Sequence, residues 1–226
     1  HRNKVYLKAN LQIQQDTPFN VKLLLDTGAS PSLLMNTNTH PDLHMPENTL
    51  KGNIGAGLGG FLEGYLGRVN HLQIGAWRLN EVLTNFQELP PEADTSLLHG
   101  RHGIIGNQVL SRFHIIIDYP REKLYLQPNK RFKEKFEFDK SGLVVVATGE
   151  HLNSFIVHDV LPGSPAAEAG LKEGDKVVRL NWTSAGFLSL EDINHKLRQK
   201  EGKKITLVVR RGAERLKLQF QLRRLI

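Results

Sequence analysis

Apolar residues fall at every second position from Val5 through Leu7, Ala9 and Leu11 to Ile13, with Tyr6, Lys8, Asn10 and Gln12 between them. A period of two marks a strand with one buried face, because successive side chains of a strand point to opposite sides. Asp16-Thr17-Pro18 then supplies turn chemistry, and Phe19, Val21, Leu23 and Leu25 repeat the alternation directly into Asp26. The two runs predict a hairpin that delivers a carboxylate. The pattern returns late in the chain, where Ile205, Leu207, Val209, Leu216, Leu218 and Phe220 are interleaved with Lys204, Arg210, Arg211, Arg215 and Lys217. A chain framed in this way is mainly β.

At 226 residues the chain suits two domains of roughly 100 residues each. The boundary is expected in Pro128-Asn129-Lys130-Arg131-Phe132-Lys133-Glu134-Lys135, a polar, basic stretch between two apolar-patterned halves. Domains are therefore read at 1–128 and 136–226, with a linker at 129–135. A hydrophobic fraction of 39% and a charged fraction of 23% are those of a folded, soluble protein. No apolar run approaches the roughly 20 residues a spanning helix needs, so no transmembrane segment is expected. The absence of cysteine excludes disulfides, thiol catalysis and cysteine-bound metal, and leaves the redox compartment open. The chain opens on His1, as a processed or trimmed protein would, which leaves the question of an export signal open. Its net charge of +7 gathers on the late strands as a wet face without interleaved aromatic residues for base stacking, so no nucleic-acid partner is expected.

In the first half, Gly52, Gly55, Gly57, Gly59, Gly60, Gly64 and Gly67 rule out a stable helix and suit a hairpin or loop. Strands are expected at 68–74 and 115–119. Between them Asn107 would cap a short helix through Val109, Leu110 and Phe113, and Pro120-Arg121-Glu122-Lys123 would turn into Leu124-Tyr125-Leu126. In the second half, strands are expected at 142–148, 155–160 and 176–181, with a short helix at 165–169 and a terminal hairpin. Ser189 and Asp192 open a longer helix as a capping box.

Leu23-Leu24-Leu25-Asp26-Thr27-Gly28-Ala29 places a carboxylate at a tight, glycine-permitted turn. This segment resembles the active-site motif of aspartic proteases, in its retropepsin version. A second segment, Gly103-Ile104-Ile105-Gly106-Asn107 followed by Val109-Leu110, is similar to the element that closes the family's ψ-shaped loop. The resemblance covers residues 5–128. It implies an acid-protease β-barrel lobe with Asp26 catalytic, Thr27, Gly28 and Ala29 in support, Ile105 and Gly106 in the ψ-loop, and Gly55, Gly57, Gly59 and Gly60 in a flap over bound peptide. Ser30 and Asn107 depart from residues often found at those places. Peptide hydrolysis by this class needs two carboxylates sharing a proton, and one Asp-Thr-Gly supplies only one, so a homodimer is expected.

The string Val160-Leu161-Pro162-Gly163-Ser164-Pro165-Ala166-Ala167-Glu168-Ala169-Gly170 encodes a capped, proline-started, glycine-ended helix. With the residues that follow it is similar to PDZ domains associated with bacterial proteases, over about 136–226. The resemblance implies a β-sandwich or barrel with two helices and a peptide groove involving Gly142, Leu143, Val144, Ile193 and Leu197, of which Leu143, Ile193 and Leu197 are read as core before groove. It also suggests an extracytoplasmic bacterial setting, periplasmic or cell-surface.

Asp118 precedes a proline turn and lacks Thr-Gly neighbours, so it reads as structural. His40 and His44 are separated by Pro41 without a metalloprotease glutamate and read as a solvated loop; His99 and His102 read as structural or solvated. No metal and no cofactor is called for. The function expected is that of an aspartic endopeptidase with a peptide-binding PDZ module acting on peptide or protein substrates. The alternative is a non-catalytic peptide-binding scaffold built from the same parts.

Overall fold

The computed structural model describes residues 4–57, 60–89, 98 and 100–226. The chain divides into two compact units, His1–Phe136 together with Ile226, and Glu137–Leu225. In the first, β1 (Tyr6–Gln12) and β2 (Phe19–Leu25) form the expected hairpin, with Leu7 opposite Leu23 and Leu11 opposite Phe19. There follow β3 (Leu33–Asn36), β4 (Leu50–Gly57), β5 (Gly60–Ile74), β6 (Trp77–Gln87), β7 (Gly103–Ile105), α1 (Asn107–Leu110), β8 (Phe113–Asp118) and β9 (Lys123–Pro128).

The strand order β1-β2-β7-β3-β6-β5 closes on itself, because β5 also pairs with β1 through Leu72 opposite Leu11; β4 extends outward from β5. Inward positions Leu11, Leu23, Leu33, Met35, Phe86 and Ile105 are fully buried, each contributing about 2 kcal/mol of apolar burial. Strand β7 threads between β2, to which it is parallel, and β3, to which it is antiparallel. Strands β8 and β9 form a two-stranded sheet of their own.

Two local expectations change. Asn107 does not cap α1: the cap position is Gly106, without a side-chain cap. The Asn107 N–H is given to Ala29 O at 2.7 Å, which places Asn107 inside the first turn, and Phe113 opens β8 instead of continuing the helix. Residues 129–136 run along the first unit. Arg112, only 5% exposed, donates from Nε to Gln108 O (2.9 Å), from Nη1 to the carbonyls of Arg131 (3.1 Å) and Glu134, and from Nη2 to Lys135 O (3.3 Å). Its guanidinium lies 3.7 Å from the ring centre of Phe136, and Phe132 meets Trp77 and Phe113 edge-on at 5.9 and 5.4 Å.

His40 departs from the solvated loop expected of it, and His102 takes the structural role. His40 stacks on Phe19 at 4.9 Å and meets His102 edge-on at 5.2 Å, because strand β2 offers it an apolar ring face. His102 Nδ1 accepts the Lys22 N–H at 2.8 Å, so the ring is held as the neutral tautomer. Burial, reinforced by His40 and Lys22, lowers the His102 pKa. A depressed folded pKa means that the unfolded chain takes up the proton first as the pH falls. The stability contributed is therefore complete above about pH 6.5 and drains away below it. The denaturant midpoint of the first unit, read by hydrogen-exchange mass spectrometry, is expected to fall between pH 7.5 and 5.5, and His102→Gln is expected to flatten that fall. An unchanged slope in the variant removes His102 as the cause. His44 stays half exposed and pairs with Asp16 at 3.3 Å, while His99 lies outside the described residues.

The second unit contains β10 (Leu143–Thr148), β11 (Ser154–Val160), α2 (Pro165–Glu168), β12 (Lys176–Leu180), β13 (Thr183–Ser184), α3 (Leu190–Leu197), β14 (Lys204–Arg211) and β15 (Glu214–Gln221). The sheet runs β10-β11-β12-β14-β15, with β13 on β12. The capping box forms as read: Asp192 N–H donates to Ser189 Oγ (3.1 Å) and Ser189 N–H to Asp192 Oδ2 (2.8 Å). Fully buried Asp175 receives Arg211 through Nε (2.7 Å) and Nη2 (2.8 Å), and the Lys172 N–H (3.0 Å). Burial alone would raise the Asp175 pKa; these donors outweigh it and hold the group below its ordinary value. Among the described residues no helix is long and apolar enough to cross a membrane. The mainly-β expectation, a barrel lobe followed by a sheet with short helices, is what the chain adopts.

Candidate active site

Strand β2 ends where its neighbours still hold it: Leu25 N–H donates to Val5 O (2.9 Å) and Asp26 N–H to Ile105 O (3.1 Å). The chain then turns, and Asp26 Oδ1 accepts the N–H of Gly28 (2.9 Å) and of Ala29 (3.2 Å). One carboxylate oxygen is thereby fixed by its own turn, and Oδ2 has no hydrogen bond among the described residues. Asp26 and Ala29 are half-buried, whereas Thr27, Gly28 and Ser30 are exposed.

The next segment is pinned from the other side. Gly106 N–H donates to Ser32 O (2.9 Å), Asn107 N–H to Ala29 O (2.7 Å) and Ser32 Oγ to Gln108 Oε1 (2.9 Å). A Cβ on Gly106 would stand 2.2 Å from Pro31 O and 2.7 Å from Ala29 O, so only glycine permits this approach. Asp26 to Ala29 and Ile105 to Gly106 are thus brought together. Gly55, Gly57 and Gly60 lie in the β4–β5 hairpin, Gly57 opposite Gly60; Gly59 lies outside the described residues. Asp118 is engaged locally, accepting Arg121 N–H (3.1 Å) and Nη1 (2.9 Å) across the proline turn. Among the described residues no second carboxylate shares a hydrogen bond with Asp26.

In the second unit, Gly142, Leu143 and Val144 stand at the start of edge strand β10, beside α3. Leu143, Ile193 and Leu197 are 6%, 1% and 1% exposed and belong to the core, while Val144 is half-buried. Sequence reasoning missed Asp139. Its Oδ1 accepts the Ser141 N–H (2.8 Å), the Ser141 Oγ–H (2.7 Å) and the Gly142 N–H (2.5 Å). Burial pushes the Asp139 pKa above its ordinary value, against the pull of those donors.

An aspartyl protease family model matches residues 10–109, and a PDZ domain model matches residues 156–211. The chain joins an aspartyl protease domain to a PDZ domain. The aspartyl protease match includes Asp26 to Ala29, the β4–β5 hairpin, Ile105 and Gly106; the PDZ match includes α3, with β10 just before it. Over 65 residues the chain is 38% identical to the serine protease HTRA1 of Xenopus tropicalis, covering 29% of this chain and 14% of that protein. Similar solved structures include a photosystem II D1 C-terminal processing protease, 25% identical with a TM-score of 0.35, covering 38% of this chain and 23% of that one. A retropepsin-like aspartic protease from Rickettsia conorii is 19% identical with a TM-score of 0.39, covering 56% and 83%. The chain therefore spans a small part of the curated relative it matches.

Proposed function

We propose that this chain is an aspartic endopeptidase whose active site is completed by a second copy of itself, with the PDZ domain holding an extended stretch of peptide or protein substrate. The observation that carries the reading is the presentation of Asp26: a carboxylate at a strand end, one oxygen fixed by two backbone N–H groups, in an exposed turn. Two such carboxylates face to face cannot both ionise easily and share one proton. One takes a proton from water as the water oxygen attacks the peptide carbonyl; the other gives its proton to the carbonyl oxygen. As the tetrahedral intermediate collapses, the carboxyl that took the water's proton gives it to the nitrogen, the other carboxylate takes back the hydroxyl proton, and the C–N bond breaks to release the amine. The β4–β5 hairpin is the segment suited to cover the bound peptide.

Self-association is supported by the single Asp-Thr-Gly, by the exposure of Thr27 and Gly28, and by the two-stranded β8–β9 sheet. There Ile116 lies opposite Tyr125, and they are 66% and 50% exposed. A twofold axis through this face would pair it with itself. The test follows peptide hydrolysis and sedimentation over a range of protein concentrations. Specific activity is expected to rise with concentration and to be blocked by a statine-type transition-state analogue. Ile116→Lys, which sets like charges against each other across the axis, is expected to weaken self-association about tenfold and to shift the activity curve by the same factor. Hydrolysis with a concentration-independent specific activity overturns the dimer. No hydrolysis at any concentration favours a binding scaffold.

A further inference from the structure

We propose that the open edge of β10 accepts an internal stretch of peptide chain and turns away a free C-terminal carboxylate, because Asp139 already occupies the backbone donors at its head. The inference rests on the peptide-binding reading of the PDZ domain and adds what kind of peptide that domain selects.

Among the described residues, strand β10 has a sheet neighbour, β11, on one side only, and an edge strand of this kind adds an extended peptide through backbone hydrogen bonds. Immediately before it, successive N–H groups of Ser141, Gly142 and Leu143 form a concave run of donors, a common means of catching an anion. These donors are taken. Ser141 N–H and Gly142 N–H donate to Asp139 Oδ1 at 2.8 and 2.5 Å, and Leu143 N–H donates to Ser141 Oγ at 3.1 Å. The Ser141 hydroxyl closes the set by donating to the same Asp139 oxygen at 2.7 Å.

The loop is also held against rotating its donors outward. Ser141 O accepts Ala166 N–H (2.9 Å), Gly142 O accepts Leu161 N–H (2.8 Å), and Lys140 N–H donates to Leu197 O (3.1 Å). Gly142 sits at φ +82°, where a Cβ would stand 2.1 Å from Ser164 Cβ, so the turn is fixed by packing as well as by hydrogen bonds. Lys140 offers no idle cation, since its Nζ is engaged by Glu137 Oε2 (2.6 Å) and Arg198 O (3.3 Å). An arriving terminal carboxylate would have to displace Asp139 from its donors and then sit against the displaced side chain. A chain that runs on past the loop, or ends in a neutral amide, needs neither the donors nor the displacement.

The test uses two libraries of the same randomised decapeptides, one of free acids and one of C-terminal amides. They are presented at pH 7.5 to the full chain carrying Asp26→Asn, so that bound peptides are not cut. The amides are expected to be retained about tenfold over the acids. Adding Asp139→Ala frees the donors and is expected to raise retention of the acids about tenfold while leaving the amides unchanged. Asp139→Asn keeps an acceptor oxygen for the same N–H groups, so a smaller rise is expected; it carries the comparison if thermal unfolding finds the Ala variant misfolded. Acids retained as well as amides by the parent chain, or an acid-to-amide ratio that neither variant moves, overturns the proposal. Retention of neither library by any version overturns the peptide-binding reading beneath it, a distinct outcome.

Discussion

Asp26→Asn is expected to cut peptide hydrolysis by roughly a thousandfold or more while leaving the fold in place. The asparagine side chain still offers an oxygen to the Gly28 and Ala29 N–H groups, which now bond to Oδ1 at 2.9 and 3.2 Å, so the turn keeps its geometry. What is lost is the exchangeable proton and the charge that shares it. Unfolding midpoints should therefore agree between the two proteins. Mixing gives a sharper form of the same experiment: after equilibration at equal concentrations, statistical pairing leaves about a quarter of the dimers with both carboxylates. Activity per wild-type chain should fall to about half, whereas a site complete within one chain would show no such fall. Full activity in the pure variant sinks the assignment of Asp26.

Arg112→Ala should cost the first unit roughly 3 kcal/mol of stability. The guanidinium supplies hydrogen bonds to the carbonyls of Gln108, Arg131, Glu134 and Lys135 and covers the Phe136 ring. Removing it strands those carbonyls and opens one face of the ring. Burial lowers the Arg112 pKa, with Glu134 acting in the opposite direction; the charge stays in place because carbonyl oxygens surround it. Arg112→Lys should recover only part of the loss, since an ammonium cannot reproduce the planar fork. Urea denaturation followed through first-unit peptides by hydrogen exchange measures both. A loss below about 0.5 kcal/mol for the Ala variant, the range of an ordinary surface change, would show that the latch contributes little.

These two residues also mark what a reader of the sequence can and cannot see. Strands β1 and β2 are legible because each has one buried face, so the period of two survives in the letters. The Ser189–Asp192 box is legible because both partners are side chains at a fixed spacing. Strand β6 is not: Glu81 sits at φ +52°, and from Val82 to Phe86 successive residues are all buried, so the alternation is lost. Arg112 escapes notice because its acceptors are backbone carbonyls, which every residue carries, in a stretch whose polar composition suggests a linker. Asp139 escapes for the same reason with donor and acceptor reversed. The Asp26 turn stood out through its resemblance to a family motif, whereas its fastening by Gly106 and Asn107 depended on knowing that β7 threads between β2 and β3.

The Arg112 contacts also bear on how the first unit would meet force arriving along the chain. A pull arriving along the chain at Phe136 is met by a guanidinium bonded to the carbonyls of Arg131, Glu134 and Lys135 and by Phe132 edge-on to Trp77 and Phe113. The load is thus taken up before it arrives at β9, whose register with β8 ends at Pro128. Tension arriving at Phe136 would meet these side chains on its way to β9.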